Sequence, residues 1–233
     1  MDTSFKKRIC VIIPTYNEVN KIGSLIDIIN ERGGSAVSEI IVSDGGSTDH
    51  TREIAEARGA RCIVSPQKGR AHQLNCGAQN AKGDILYFLH ADTIPPENFT
   101  ELIANAVEKS HLAGSFKRKF DNPALFFKLS SFIGSFHIIN YPYGDQSLFI
   151  DKGLFKKIGG YARMNIMEDQ EIVERASKET QFIVLSQYVV TSARKFEEHG
   201  IVRLHIIFLL ITIMYKIGFK ESLLTAVYKS FIR

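Results

Sequence analysis

Gly69-Arg70-Ala71-His72-Gln73-Leu74-Asn75, followed by Gly83-Asp84-Ile85-Leu86-Tyr87-Phe88-Leu89-His90-Ala91-Asp92, is the stretch that decides how this chain folds. Ala71, Leu74, Ala78 and Ala81 recur at helical spacing, so the residues after Gly69 read as a helix with one apolar face. Gly83 is its expected stop, since glycine serves as a C-terminal cap. Ile85 to Leu89 is a continuous apolar run, the pattern of a strand covered on both faces. Asp92 is therefore expected at the carboxyl end of a central strand, where open α/β sheets hold their ligands. A carboxylate there can hold a divalent cation against a diphosphate. Arg70, at the helix start, is placed to neutralise phosphate charge, helped by the helix N-terminus.

The beginning of the chain repeats this logic. Ile9 to Ile13 is an apolar strand that breaks at Pro14-Thr15-Tyr16-Asn17-Glu18. A helix follows with Ile22, Leu25, Ile26 and Ile29 on one face. Glu39 to Ser43 reads as a second strand ending in Asp44-Gly45-Gly46-Ser47-Thr48-Asp49, whose glycines let backbone approach a ligand. Ser47 or Asp49 is expected to cap the next helix, which ends at Gly59. Arg61 to Ser65 is a third strand. Strand and helix alternate to about residue 110, which predicts a mainly parallel, doubly wound sheet.

Pro14-Thr15-Tyr16-Asn17-Glu18, Asp44-Gly45-Gly46-Ser47-Thr48-Asp49, Lys68-Gly69-Arg70 and His90-Ala91-Asp92 resemble the nucleotide-sugar half of a family-2, GT-A-fold glycosyltransferase. Tyr143-Gly144-Asp145-Gln146 and Met167-Glu168-Asp169 resemble that family's acceptor-half motifs, and the order is kept over residues 8 to 195. Within the family the chain looks like the small subgroup associated with radical-SAM and selenodomain genes, whose acceptor is undefined. The resemblance implies a GT-A domain over 1–193, with a nucleotide-sugar half (1–110) and an acceptor half (111–193). Residues 194–233 then form a basic, apolar helical tail.

The resemblance also assigns roles. Pro14, Thr15, Tyr16 and Glu18 would line the base and ribose pocket, and Asp44 would contact the base. Arg70 would face the phosphates, and Asp92 would hold Mn²⁺ or Mg²⁺. Asp145, Gln146 and Glu168 would shape the sugar or acceptor site. Transfer with inversion needs a carboxylate to take the acceptor hydroxyl's proton, and the pattern puts that base at Asp169. The donor would be a nucleotide-diphosphate sugar, a UDP-sugar by preference. At His90-Ala91-Asp92 many relatives carry Asp-x-Asp, so one carboxylate for a hard cation is lost. A later residue often completes the metal shell in this fold, with His199 and His205 as candidates, and Arg194 could instead supply charge near the diphosphate. Taken alone, Glu168 and Asp169 also suit ordinary helix-start residues that complement the macrodipole.

At 233 residues the chain is long enough for one domain with a sizeable core. Cys10, Cys62 and Cys76 include no CxxC pair, so buried free thiols in a reducing, cytoplasmic compartment are expected. Met1 to Arg8 has no apolar segment behind it, so no signal peptide is read there. Gly114-Ser115-Phe116-Lys117-Arg118-Lys119-Phe120 alternates like an exposed strand. Leu125, Phe126, Phe127, Leu129, Phe132 and Ile133 suit a helix that packs into the core or lines a greasy acceptor groove.

Residues 194 to 233 hold seven basic and three acidic side chains, a balance of +4 that equals the excess of the whole chain. The rest is neutral and has no basic-aromatic motif, which argues against nucleic-acid binding. The tail's run Ile206 to Tyr215 is too short to span a bilayer, which takes about 20 residues. It is a buried helix, or it lies on an anionic membrane surface where it would present a lipid-linked acceptor, or both, with one face on the protein and one on lipid. Two other function classes fit the motifs less well. A nucleotidyltransferase needs a glycine-rich loop with Arg and Lys after the first strand, and this chain has Pro14-Thr15-Tyr16-Asn17-Glu18 instead. A non-catalytic membrane-surface module would not need Asp44, Asp92, Asp145 and Asp169 together.

Overall fold

A computed structural model describes residues 7–122 and 147–232. Asp145, Gln146 and the aromatic segment from Leu125 to Ile133 lie outside the described residues. Strands β1 (Ile9–Thr15), β2 (Val37–Asp44), β3 (Arg61–Val64) and β4 (Ile85–Phe88) alternate with helices α1 (Val19–Gly33), α2 (Thr51–Ala57) and α3 (Arg70–Asn80). Then come β5 (Thr93–Ile94), α4 (Phe99–Glu108), β6 (Ala113–Phe120), β7 (Leu148–Asp151) and α5 (Lys152–Lys157). Helix α6 (Glu168–Glu179) and β8 (Ile183–Thr191) complete the sheet, and α7 (Arg194–His199), α8 (Ile201–Lys216) and α9 (Glu221–Phe231) form the tail.

The strands form one sheet in the order β3-β2-β1-β4-β7-β6-β8-β5. From β3 to β4 all neighbours are parallel, as the alternation predicted. Beyond β4 the sheet is mixed: β7 is antiparallel to β4 and β6, β8 is parallel to β6, and β5 is antiparallel to β8.

The apolar runs divide between two cores with the period of a strand. Ile9, Val11 and Ile13 of β1 join Ile85, Tyr87 and Leu89 on one face, under α1 and α4. Cys10, Ile12, Leu86 and Phe88 point to the other face, where Ala71, Leu74 and Ala78 of α3 meet Ile172, Val173 and Ala176 of α6. At about 25 cal/mol per Å² of apolar area, double coverage is what makes an unbroken apolar run favourable in a strand.

Two expectations are corrected here. Helix α3 ends at Asn80, and Gly83 does not cap it. A Cβ on Gly83 would sit 2.7 Å from the backbone nitrogen of Cys10, so glycine is required there by close approach to β1. Strand β6 is interior rather than exposed. Ala113 to Phe116 are buried between β7 and β8, and a Cβ on Gly114 would lie 2.5 Å from the Ile183 carbonyl oxygen. The alternation of Lys117 to Lys119 reports only the strand's outer end.

Candidate active site

The ends of β1 and β2 meet in register, Thr15 beside Asp44. Asp44 is fully buried, and its carboxylate organises the turn that follows it. Oδ1 accepts from the backbone N–H groups of Gly46 (2.9 Å) and Ser47 (2.7 Å). Oδ2 accepts from the hydroxyls of Thr15 (3.0 Å) and Ser47 (2.5 Å). Asp44 thus sits beneath the turn between β2 and α2.

A second set of bonds latches this turn to Tyr16-Asn17-Glu18. The Asn17 backbone N–H donates to Ser47 Oγ at 2.9 Å, and Glu18 N donates to Thr51 Oγ1 at 2.9 Å. Asn17 Oδ1 in turn accepts from Thr48 N at 2.9 Å. Asn17 has a φ of 55°, a left-handed conformation that asparagine tolerates. Of the two capping candidates, Ser47 is drawn into the Asp44 network, whereas Asp49 Oδ1 accepts from Thr51 N at 3.0 Å at the start of α2. Gln73, on α3, donates to the carbonyls of Thr15 (2.6 Å) and Ser43 (3.0 Å), fixing the helix to both strand ends. The latched loop leaves Tyr16 54 % exposed above half-buried Pro14 and Glu18.

Asp92 lies four residues beyond β4, at the same end of the sheet. Pairing of Thr93 with Thr191 carries β8 to this edge, and Ser192 N donates to the Asp92 carbonyl at 3.2 Å. Arg194 opens α7 directly afterwards. Burial raises the proton affinity of Glu18, the charge of Arg194 opposes this, and Asp92 adds to it. Glu18 therefore feels the charges of both Arg194 and Asp92. His205 has its Nδ1 2.8 Å from the Ile201 carbonyl and its ring against Phe196.

The acidic pair occupies the first two positions of α6 rather than the loop before it. Both acids are ion-paired with Arg70 at the start of α3. Nε of Arg70 bonds Glu168 Oε1, and Nη2 lies 3.0 Å from Asp169 Oδ2. Desolvation works against the Arg70 charge, but Asp169 and Glu168 outweigh it and hold the guanidinium protonated more firmly than usual. Glu168 is fully buried, and its Oε2 finds no hydrogen-bond partner among the described residues. Burial raises its proton affinity, Arg70 opposes that rise, and Asp169 adds to it. Asp169 remains 13 % exposed at the side chain, and Arg70 43 %. Buried Tyr161 lies beside them, its phenol pushed well up by desolvation and then by the two acids. Asn75, also on α3, holds Tyr161 by both backbone groups, at 2.8 and 2.9 Å.

The structure thus brings Arg70, Glu168, Asp169 and Tyr161 into one cluster, and Glu18, Asp92 and Arg194 into another. The roles of Asn17, Gln73, Asn75 and Tyr161, and the bond of Ser47 to the Asn17 backbone, were not legible in the sequence. The polar partners of Asn17, Gln73, Asn75 and Tyr161 lie 30 to 86 residues away, so spacing gives no signal for them, whereas Ser47 also bonds Asp44 three residues before it.

Residues 10–176 match the model of "Glycosyl transferase family 2", and the chain belongs to that family. Its fold is the GT-A fold. The chain is 34 % identical over 99 residues to the glucosyl-3-phosphoglycerate synthase of Mycolicibacterium smegmatis, a match covering 39 % of this chain and 33 % of that protein. It is 27 % identical over 168 residues to the undecaprenyl-phosphate 4-deoxy-4-formamido-L-arabinose transferase of Salmonella choleraesuis, covering 68 % of this chain and 47 % of the relative. The chain therefore spans about a third to a half of the length of these curated relatives. Among solved structures it resembles a mannosyltransferase of Pyrobaculum calidifontis in complex with GDP-Man and Mn²⁺, with a TM-score of 0.68, 23 % identity, and coverage of 97 % of this chain and 70 % of that one. The glucosyl-3-phosphoglycerate synthase of Mycobacterium tuberculosis, with Mn²⁺, UDP and glucosyl-3-phosphoglycerate, gives 0.64 at 20 % identity, covering 93 % and 82 %. These matches fix the family and not a subgroup within it.

Proposed function

We propose that the chain moves a sugar from a nucleotide-diphosphate sugar, a UDP-sugar by preference, to a hydroxyl acceptor with inversion. The observation that carries this reading is the ion pair between Arg70 and Asp169. It sets the cation assigned to the donor's diphosphate against the carboxylate assigned to the acceptor's hydroxyl. Asp169 takes the hydroxyl proton as the oxygen attacks the anomeric carbon, and the sugar–phosphate bond breaks as that bond forms. Arg70 meets the diphosphate when donor enters, which loosens its hold on Asp169 and leaves that carboxylate to the acceptor. Glu168 keeps the other edge of the guanidinium in place. Arg194 adds positive charge from the opposite rim. The latched loop carries Pro14, Thr15, Tyr16 and Glu18 against base and ribose, with Asp44 setting its shape. Asp145 and Gln146 keep their proposed place at the sugar and acceptor.

Among the described residues no group of three or more His, Cys, Asp and Glu side chains forms a metal site. The oxygen donors of Asp92 and Glu18 nevertheless suit Mn²⁺ or Mg²⁺, which usually bind through one or two carboxylates and substrate phosphates. Asp92 would hold the ion, which when bound would stabilise the charge of the departing diphosphate. This reading is supported by the repulsion that Asp92 adds to Glu18, which a cation would relieve.

We place the enzyme in the cytoplasm, on the inner face of a membrane, with an apolar or lipid-linked acceptor. No described helix is long and apolar enough to cross a membrane. The free thiols Cys10 and Cys62, both pushed up by burial, fit a reducing compartment.

Thermal shift tests the donor and metal together, because a ligand bound only to the native state raises Tm by mass action. UDP with Mn²⁺ should raise Tm more than UDP with EDTA. Equal shifts would remove the metal from the mechanism and leave the diphosphate to Arg70 and Arg194.

A further inference from the structure

Helix α8 has two apolar faces, and the described fold covers one of them. Leu204, Ile207 and Ile211 are buried against the domain. On the opposite side Val202, Ile206, Leu209, Leu210 and Ile213 are 44 to 60 % exposed, and Ile217 beyond the helix is 67 % exposed. With 3.6 residues per turn, these positions fall within one arc of roughly 100°. Arg203 and Lys216 border that arc on its two sides. No Asp or Glu occurs from Ile201 to Lys220. Phe219, 46 % exposed, and Lys220 extend the same character through the turn into α9.

We propose that this face docks the enzyme flat on an anionic lipid surface. An apolar stripe edged by cations, with no acid among them, is complementary to acyl chains bordered by lipid phosphates. The 16-residue helix is about 24 Å long at 1.5 Å per residue, short of the roughly 30 Å hydrocarbon core, so it lies in the interface. The tail is also tied to the acceptor side of the site. Tyr215 donates to Glu174 of α6 at 3.3 Å, and Glu221 accepts from the backbone and side chain of Asn165 at 3.0 and 2.8 Å. A cleft of about 610 Å³, lined in part by Met164, Glu174, Tyr215, Lys216, Phe219 and Glu221, opens between α6 and the α8–α9 turn. The helix that begins with Glu168 and Asp169 therefore forms one wall of a cleft whose other wall is the α8–α9 turn, where Lys216 and Phe219 adjoin the exposed stripe. The proposal deepens the membrane reading above, whereas the docking itself does not depend on sugar transfer.

Flotation of the full chain with phosphatidylcholine vesicles, with and without phosphatidylglycerol, tests it. The chain should float with the anionic vesicles and bind less as salt rises, since exposed charges are screened beyond about 10 Å at 0.1 M. Ile206→Ser, Leu210→Ser and Ile213→Ser combined should lower partitioning at least ten-fold. Arg203→Glu with Lys220→Glu should abolish the preference for anionic lipid. Circular dichroism reports that each variant is folded. Absence of binding by the intact chain, or binding of the triple variant at the wild-type level, would overturn the proposal. So would light scattering that shows a dimer broken by the triple variant without any lipid binding, because the stripe would then be a self-interface. The UDP thermal shift, run in parallel, reads the donor site independently of flotation.

Discussion

In the first half of the chain Asp44 lies buried with four loop donors on its two oxygens. In the second, Glu168 and Asp169 lean on one guanidinium that belongs to the first half. Asp44 is held by short-range contacts at the ends of parallel strands and needs no ligand to be satisfied. The acidic pair is held across the molecule by an arginine that is itself 43 % exposed. On the proposed donor side the loop is thus set in advance, while on the proposed acceptor side the state of the acidic pair depends on what Arg70 touches. The contrast also separates two kinds of damage. Changes beneath the donor loop should act on stability, and changes at the acidic pair should act on turnover.

The largest effect on stability is expected at Asp44. Asp44→Ala leaves the N–H groups of Gly46 and Ser47 and the Thr15 hydroxyl without their acceptor, and buried donors left unmade cost about 1–3 kcal/mol each. Some will find other partners, so a loss of about 3 kcal/mol is expected. That is a fall in Tm of roughly 8 °C for a chain of this size, read by calorimetry. A loss below about 1 kcal/mol would show that the loop is not organised from beneath.

A smaller effect is expected where the tail joins the acceptor side. The Glu221 carboxyl is held below its ordinary value of 4.5, first by the Asn165 backbone N–H and also by the Asn165 and Thr225 side chains. A lowered carboxyl contributes stability that is full above 4.5 and is lost as pH falls through its lower folded value. Glu221→Gln should therefore cost below about 1 kcal/mol at neutral pH, as for partly solvated pairs, and progressively less in acid. Hydrogen exchange of α9 should follow the same pH course. A pH-independent difference would assign the tail's attachment to apolar packing alone.

The donor half was largely legible in the sequence. Ile9 to Ile13 and Ile85 to Leu89 are unbroken apolar runs closed by Pro14 or His90, so both the strands and their depth could be read. The acceptor half was not. The places of β6 and β7 come from pairings such as Gly114 with Phe149 and Gly114 with Ile183, which no local pattern encodes. Gly83 was visible as a special glycine, but its reason, the approach of β1, is tertiary. Within the candidate site, Arg70 and Glu168 are 98 residues apart, so motif order could place each one but could not show their ion pair. Met167, with a φ of 68° just before the acidic pair, is a strained position that side-chain chemistry does not announce. In the tail, the apolar run Ile206 to Tyr215 was plain, but only packing shows which face stays outside.

The most direct measurement is the transfer rate and donor-induced thermal shift of Asp169→Asn beside the wild type. Asparagine keeps the size of the side chain and removes its capacity to take a proton. Turnover should fall by about 10²-fold or more, the usual scale for losing a general base. The thermal shift given by UDP and Mn²⁺ should persist, because Arg70, Asp92 and the loop beside Asp44 remain. Sugar transfer at the wild-type rate by Asp169→Asn would contradict the account and place the base elsewhere.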